Sequence, residues 1–230
     1  MRNKYVLTIS KTGYMIYISH LDMMRLFRGA FKRAGMKLEY TQGFNPHPKL
    51  SFAQPLPLGY SSSCEMLEFE LKEYIDPKEV LNKINSAIPK GISVSACNLL
   101  DEGKKSLASL LIASSYEIYI PVKHEMRSDI GELCEIFLDQ QNIMVEKKRQ
   151  KSGPIEEIDI RNLIHELSGE LVDDKIIMHT KLDSGSLSNL SPELFLHAFL
   201  QFSEIKAGRE EIEVKRDALF FNSCQELLAI

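Results

Sequence analysis

Tryptophan is absent from the 230 residues, and the four cysteines at 64, 97, 134 and 224 form no CxxC or CxxxCxxC pattern. That scatter argues against a zinc ribbon or an iron–sulfur cluster ligated by this chain alone. Four reduced, mostly buried thiols are expected instead, because free cysteine is among the most buried residue types. No apolar run approaches the roughly 18 residues of a membrane-spanning helix, so no transmembrane segment is expected. The opening MRNKYVLTIS alternates polar and apolar residues and lacks the apolar block of a signal peptide. These absences suggest a cytoplasmic protein. Acids are scarce in one place only: residues 1–50 hold nine Lys/Arg against two Asp/Glu, within a chain whose net charge is −4. A basic lobe on an acidic protein points to a localised anionic partner.

What is present reads as the same pattern twice. YVLTISKT and MIYIS are extended pieces around Gly13, SHLDMMRLFRGAFKRAG is a helix ended by Gly35, and KLEYTQ and KLSFAQPLPLG are extended. CEMLEFELKEY alternates strictly, DPKEVLNKINSAI is a helix capped by Asp76 with Pro77 at its first position, and ISVSACNLL is a strand. After a junction at DEGKKSLASLL the order returns: YEIYIPV, a helix SDIGELCEIFLDQ capped by Ser128, NIMVEKK, KIIMHTKLD, a helix SPELFLHAFLQF and EIEVKRDALFF. RQKSGPIEEIDIRNLIHEL is an insert of undefined form. The repetition predicts an α+β protein of two ferredoxin-like (βαββαβ) sandwiches with antiparallel sheets, over residues 1–103 and 113–222.

The first helix opens on SHLD, where Ser19 and Asp22 can cap each other's backbone N–H. Arg25, Arg28 and Lys32 share one face at i, i+3, i+7 spacing, Arg33 lies at its edge, and Lys37 and Lys49 follow. No acid interrupts Arg25 to Lys37. Like charges at this spacing repel by a few tenths of a kcal/mol per pair, which phosphates would offset. Three to five phosphate contacts would give a log–log salt slope of about −2 to −4. A solvated charged face is the plain alternative. A second cluster, EKKRQK at 146–151, reads as a polar loop.

Four of the nine prolines fall between Pro46 and Pro57, around the stretch GFNPHP. Pro46 and Pro48 push Asn45 and His47 into extended conformations, and Gly43 permits a positive φ. Asn45, His47 and Lys49 then alternate onto one side of a rigid loop suited to recognition. Phe44 and Phe52 either anchor the loop or stack on a base. A catalytic alternative groups His20, Asp22 and His47, two histidines and a carboxylate near a helix N-terminus, although no spacing forces them together.

SHLDMMR, FKRAG, YTQGFNPHPKLSFAQPLPLGYSS and CEMLEFEL together resemble a bacterial radical-SAM-linked family, specifically across about residues 5–72. The family-like positions are Ser19, His20, Asp22, Arg25, Gly43, Asn45, Pro46, His47, Pro48, Pro55, Pro57, Gly59 and Glu65. The resemblance implies a domain found alone or attached to a radical SAM protein, with no chemistry of its own known, and an RNA substrate. No cofactor or metal bound by this chain is expected, since a radical SAM cluster would come from another protein. The leading expectation is an accessory protein that binds tRNA or rRNA through Arg25, Arg28, Lys32, Arg33, Asn45, His47 and Lys49 beside a radical SAM partner. A stand-alone RNA-modifying enzyme and a protein-interaction module are the alternatives.

Overall fold

Strict alternation in the first strand puts Tyr5, Leu7 and Ile9 on one face of a sheet and Val6 on the other, and both faces are buried. The computed structural model describes residues 3–100, 105–122, 129–148 and 155–222. Contacts divide the chain into two units, Met1–Leu111 with Arg216–Ile230, and Ile112–Lys215.

In the first unit, β1 (Asn3–Lys11) pairs antiparallel with β3 (Ser61–Leu71) and with β4 (Ile92–Leu99), while the short β2 (Leu50–Phe52) pairs with β3. Helix α1 (His20–Arg33) lays Met23, Phe27, Ala30 and Phe31 against Tyr5, Leu7, Leu67 and Phe69. Val80 and Ile84 of α2 (Pro77–Asn85) complete that core. Each of these side chains larger than alanine contributes about 1.5–3 kcal/mol by leaving water, which fixes the helix on the sheet with its charged face outward. Val6 and Met66 face the other way, against Leu100, Leu111, Leu219 and Leu107 of the short α3 (Leu107–Leu110).

In the second unit, β5 (Leu111–Pro121), β9 (Lys175–Asp183) and β8 (Ile164–Val172) pair antiparallel in that order. Helix α4 (Ile130–Asp139) packs on β8 and on α5 (Pro192–Ser203), with Phe137 against Phe195 and Phe199. Gly169 is required there: a Cβ would stand 2.7 Å from Ile130 Cγ2. Strands β6 (Met144–Lys148) and β7 (Ile155–Asp159) form a separate two-stranded ladder.

The expectation of two ferredoxin-like sandwiches with antiparallel sheets is wrong. All the described strands except β6 and β7 form one large mixed sheet of eight, in the hydrogen-bonded order β4-β1-β3-β10-β5-β9-β8 with β2 off β3. The deciding strand is β10 (Glu213–Phe221), which lies between β3 and β5 in that order. Alternation tells which face of a strand is buried but not which strands are its neighbours, so the sequence pattern could not reveal this.

Smaller differences have local causes. MIYIS is not extended: Gly13, at φ +57, starts a 3-10 turn over Gly13–Tyr17. KLEYTQ makes only two isolated bridges, Leu38 to Leu71 and Tyr40 to Pro48. The described part of the expected insert holds β7 and the start of β8. The cap of α4 is Asp129, whose side chain accepts from the Glu132 N–H, while Ser128 lies outside the described residues. Cys97 and Cys134 are buried and Cys64 half-buried, with Cys224 outside the described residues. Burial pushes these thiols up to about 11 for Cys64, about 12 for Cys97 and about 11 for Cys134, so they stay protonated and unreactive near neutrality. Among the described residues no helix is long and apolar enough to cross a membrane.

Candidate nucleic-acid interface

Helix α1 stops in a way that aims the following chain. Gly35 takes φ +70, the Met36 N–H donates to Phe31 O and the Gly35 N–H to Lys32 O, the two bonds of a Schellman motif. The chain then runs beside β3, where the Lys72 N–H donates to Lys37 O and the Glu39 N–H to Glu70 O. Lys37 and Lys72 are thereby held side by side.

The GFNPHP segment is closed on itself. The Thr41 N–H donates to His47 O at 2.8 Å, and the His47 N–H to Thr41 Oγ1 at 3.0 Å. Gly43 turns the chain at φ +127, a conformation that side-chain-bearing residues rarely adopt. The tip between these bonds is exposed from Thr41 to His47, with Phe44 wholly in solvent.

Helix end and loop together wall an open cleft of about 790 Å³. Its lining includes Arg28 and Lys32 from α1, Lys37, Lys72, Tyr40, and Pro46, His47 and Pro48 from the loop. Four cations and no carboxylate face this space. Among the described residues none of the four has an ion-pair partner, whereas Lys4, Lys49 and Lys83 of the same unit pair with Glu68, Glu70 and Glu79.

The residues singled out from sequence fall into different settings. Arg28, Lys32 and His47 meet in the cleft. Arg25 is exposed and bonded to Asp22 at 2.9 Å. Arg33 is turned away, donating through Nε and Nη2 to Ala87 O beyond the end of α2. Lys49 is neutralised by Glu70 at 2.7 Å. Asn45 is exposed and does not line the cleft. Phe52 is buried in the core, edge-on to Phe27, so of the two loop aromatics only Phe44 is free to stack. Residues 149–151 of EKKRQK lie outside the described residues, and its start belongs to β6. Sequence reasoning left Lys37, Lys72 and Tyr40 out of the binding set. Lys72 had a signal, since it follows Glu68 and Glu70 on the outward face of an alternating strand.

His47 lines the cleft, His20 a separate small cavity, and Asp22 neither of the two. His20 is half-buried, edge-on to Phe52 at 5.6 Å, beside Lys11 and Glu65. Burial holds its imidazole below the usual range, Glu65 opposing and Lys11 reinforcing the effect. Asp22 is exposed at the start of α1: Ser19 Oγ donates to its Oδ2 at 2.7 Å, and its own N–H donates to Ser19 Oγ at 3.2 Å. The Ser19 hydroxyl first, and then Arg25, keep this carboxyl below the ordinary carboxylate range. Among the described residues no three His, Cys, Asp or Glu side chains gather as a metal site would require.

Behind α1 lies a second charged group. Arg216, at 1% exposure, donates through Nη1 to both carboxylate oxygens of Glu65 at 3.0 Å, and through Nη2 to Pro55 O at 3.2 Å. Lys11, equally buried, donates to Ile18 O at 3.1 Å, and its burial lowers its pKa against the pull of Glu65. This network ties the QPLPLG stretch and the turn before Ser19 to the sheet.

Residues 4–192 match the model of a family described as uncharacterized protein conserved in bacteria, DUF2344. The chain belongs to that family. No curated protein matches it. Among solved structures, a chain in the crystal structure of a Cbf5-Nop10-Gar1 complex is similar over 95% of this chain, with TM-score 0.51 and 7% identity. This chain covers 50% of that one, and the likeness is one of fold alone. An unknown protein from Galdieria sulphuraria is aligned over 96% of this chain and 99% of its own, with 13% identity and a TM-score of 0.28, too low to support a structural argument.

Proposed function

We propose that this family member is a cytoplasmic RNA-binding accessory protein that holds a tRNA or rRNA for modification by a radical SAM enzyme. The observation that carries the RNA reading is the cleft, in which Arg28, Lys32, Lys37 and Lys72 converge without an acid. Unpaired cations held close together repel one another, and a polyanion removes that cost while it binds. His47 and the flanking prolines add a rigid polar wall that can position a nucleotide. The radical SAM partnership rests on the motif resemblance alone. Ultraviolet cross-linking of cellular RNA to the purified protein, followed by peptide mapping, tests the RNA reading. Cross-links on peptides spanning residues 28–48 are expected. Cross-links confined to residues 112–215, or none above background, would remove it.

A second reading is favoured by Asp22, an exposed carboxylate kept ionised by Ser19 and Arg25. On this reading the chain would itself modify RNA, with Asp22 as the catalytic group at the exposed start of α1. Nucleoside mass spectrometry after incubation of RNA with the purified chain alone would then show a product that Asp22→Asn abolishes. No product without a partner excludes this reading.

A further inference from the structure

Cations alone would serve any polyanion, but this cleft also presents aromatic surface. Tyr40 lines it while remaining 46% exposed, and Phe44 stands fully in solvent at the tip of the loop that supplies His47. Phe44 packs against nothing in the protein, and about half of the Tyr40 surface stays open to water, on and beside a loop braced by the Thr41–His47 hydrogen bonds; exposed aromatic surface of this kind is costly to solvate. The ligand that alternates anionic groups with flat apolar faces is a single nucleic-acid strand. In a duplex the base faces are stacked on one another and closed to side chains. The cleft volume also lies in the range of sites that enclose small ligands, about 300–1,000 Å³.

Building on the RNA reading above, we infer that the cleft and the adjoining loop tip take unpaired nucleotides of a loop or single-stranded end, with one base stacked on Tyr40 inside the cleft, another on Phe44 just outside it, and phosphates on the surrounding cations. Duplex RNA meets only the cations. Aromatic stacking contributes enough per base for about a tenfold loss when one ring is removed.

The test compares a fluorescent single-stranded RNA with a blunt duplex of the same sequence, by anisotropy at fixed salt. The wild-type chain is expected to bind the single strand at least tenfold more tightly. Phe44→Ala and Tyr40→Ala each weaken single-strand binding about tenfold and leave the duplex unchanged, while Tyr40→Phe retains wild-type affinity. Equal affinity for the two forms, or losses shared equally between them, overturns the inference and leaves the RNA reading intact. Absence of binding to either form overturns both.

Discussion

The first unit contains two groups of charged side chains that differ in their company. Lys11, Glu65 and Arg216 are each 1% exposed, and the two cations donate to the Glu65 carboxylate and to backbone carbonyls of Ile18 and Pro55. Arg28, Lys32, Lys37 and Lys72 are exposed and converge on one cleft whose lining includes no acid. Buried charge demands a partner because desolvation is expensive, so the first group is read as architecture. Exposed charge of one sign has no such constraint and leaves its field open to a ligand, so the second is read as a binding surface.

The largest effect expected is on the buried group. Glu65→Ala leaves Arg216 and Lys11 buried without their carboxylate and destabilises the protein by about 3–5 kcal/mol, measured by urea unfolding. A cost below about 1 kcal/mol would show that water reaches these cations and would erase the contrast. Next comes the cleft, where the effect is on binding instead. Arg28→Ala with Lys32→Ala weakens RNA binding about tenfold at low salt, while stability changes by no more than about 0.5 kcal/mol per site, as for ordinary surface substitutions. Lys49→Ala is the control, since its charge is already held by Glu70. Ser19→Ala removes the cap of α1 and costs about 1 kcal/mol in the same unfolding assay.

The smallest effect is a pH dependence at the border between the two groups. Burial lowers the His20 pKa, so the unfolded chain takes up the proton first as pH falls. Stability therefore declines as pH drops through the ordinary imidazole range, about 6.5, and this contribution is absent above it. Unfolding at pH 5.5 and 7.5 checks the sign, and His20→Gln should flatten the difference. Asp22 acts at lower pH. Its depressed carboxyl supports the helix start above the ordinary carboxylate range and loses that support as pH falls through its folded value.

Much of the local structure was legible in the sequence. The Ser19 and Asp76 caps, the Gly35 stop and the apolar face of α1 follow from short-range chemistry and appear as expected. The arrangement of strands was not, because the neighbours of β10 are chosen by long-range pairing that alternation does not encode. The site was legible in part for the same reason. Arg28 and Lys32 share a helix face by periodicity, and the prolines announce a rigid loop. Lys72 reaches the cleft only because its N–H meets Lys37 O, a contact across 35 residues of chain. Arg33 and Lys49 left the set because Ala87 O and Glu70, distant in sequence, claim them.

The central claim is that the four unpaired cations of the cleft bind phosphate. It is tested most directly by the salt dependence of single-stranded RNA affinity for the wild type and for a variant with alanine at Arg28, Lys32, Lys37 and Lys72. Four contacts predict a log–log slope near −3 for the wild type, roughly a 50-fold loss between about 50 and 200 mM salt, and a slope near zero for the variant. The same slope in both proteins would contradict the account and place the phosphates elsewhere.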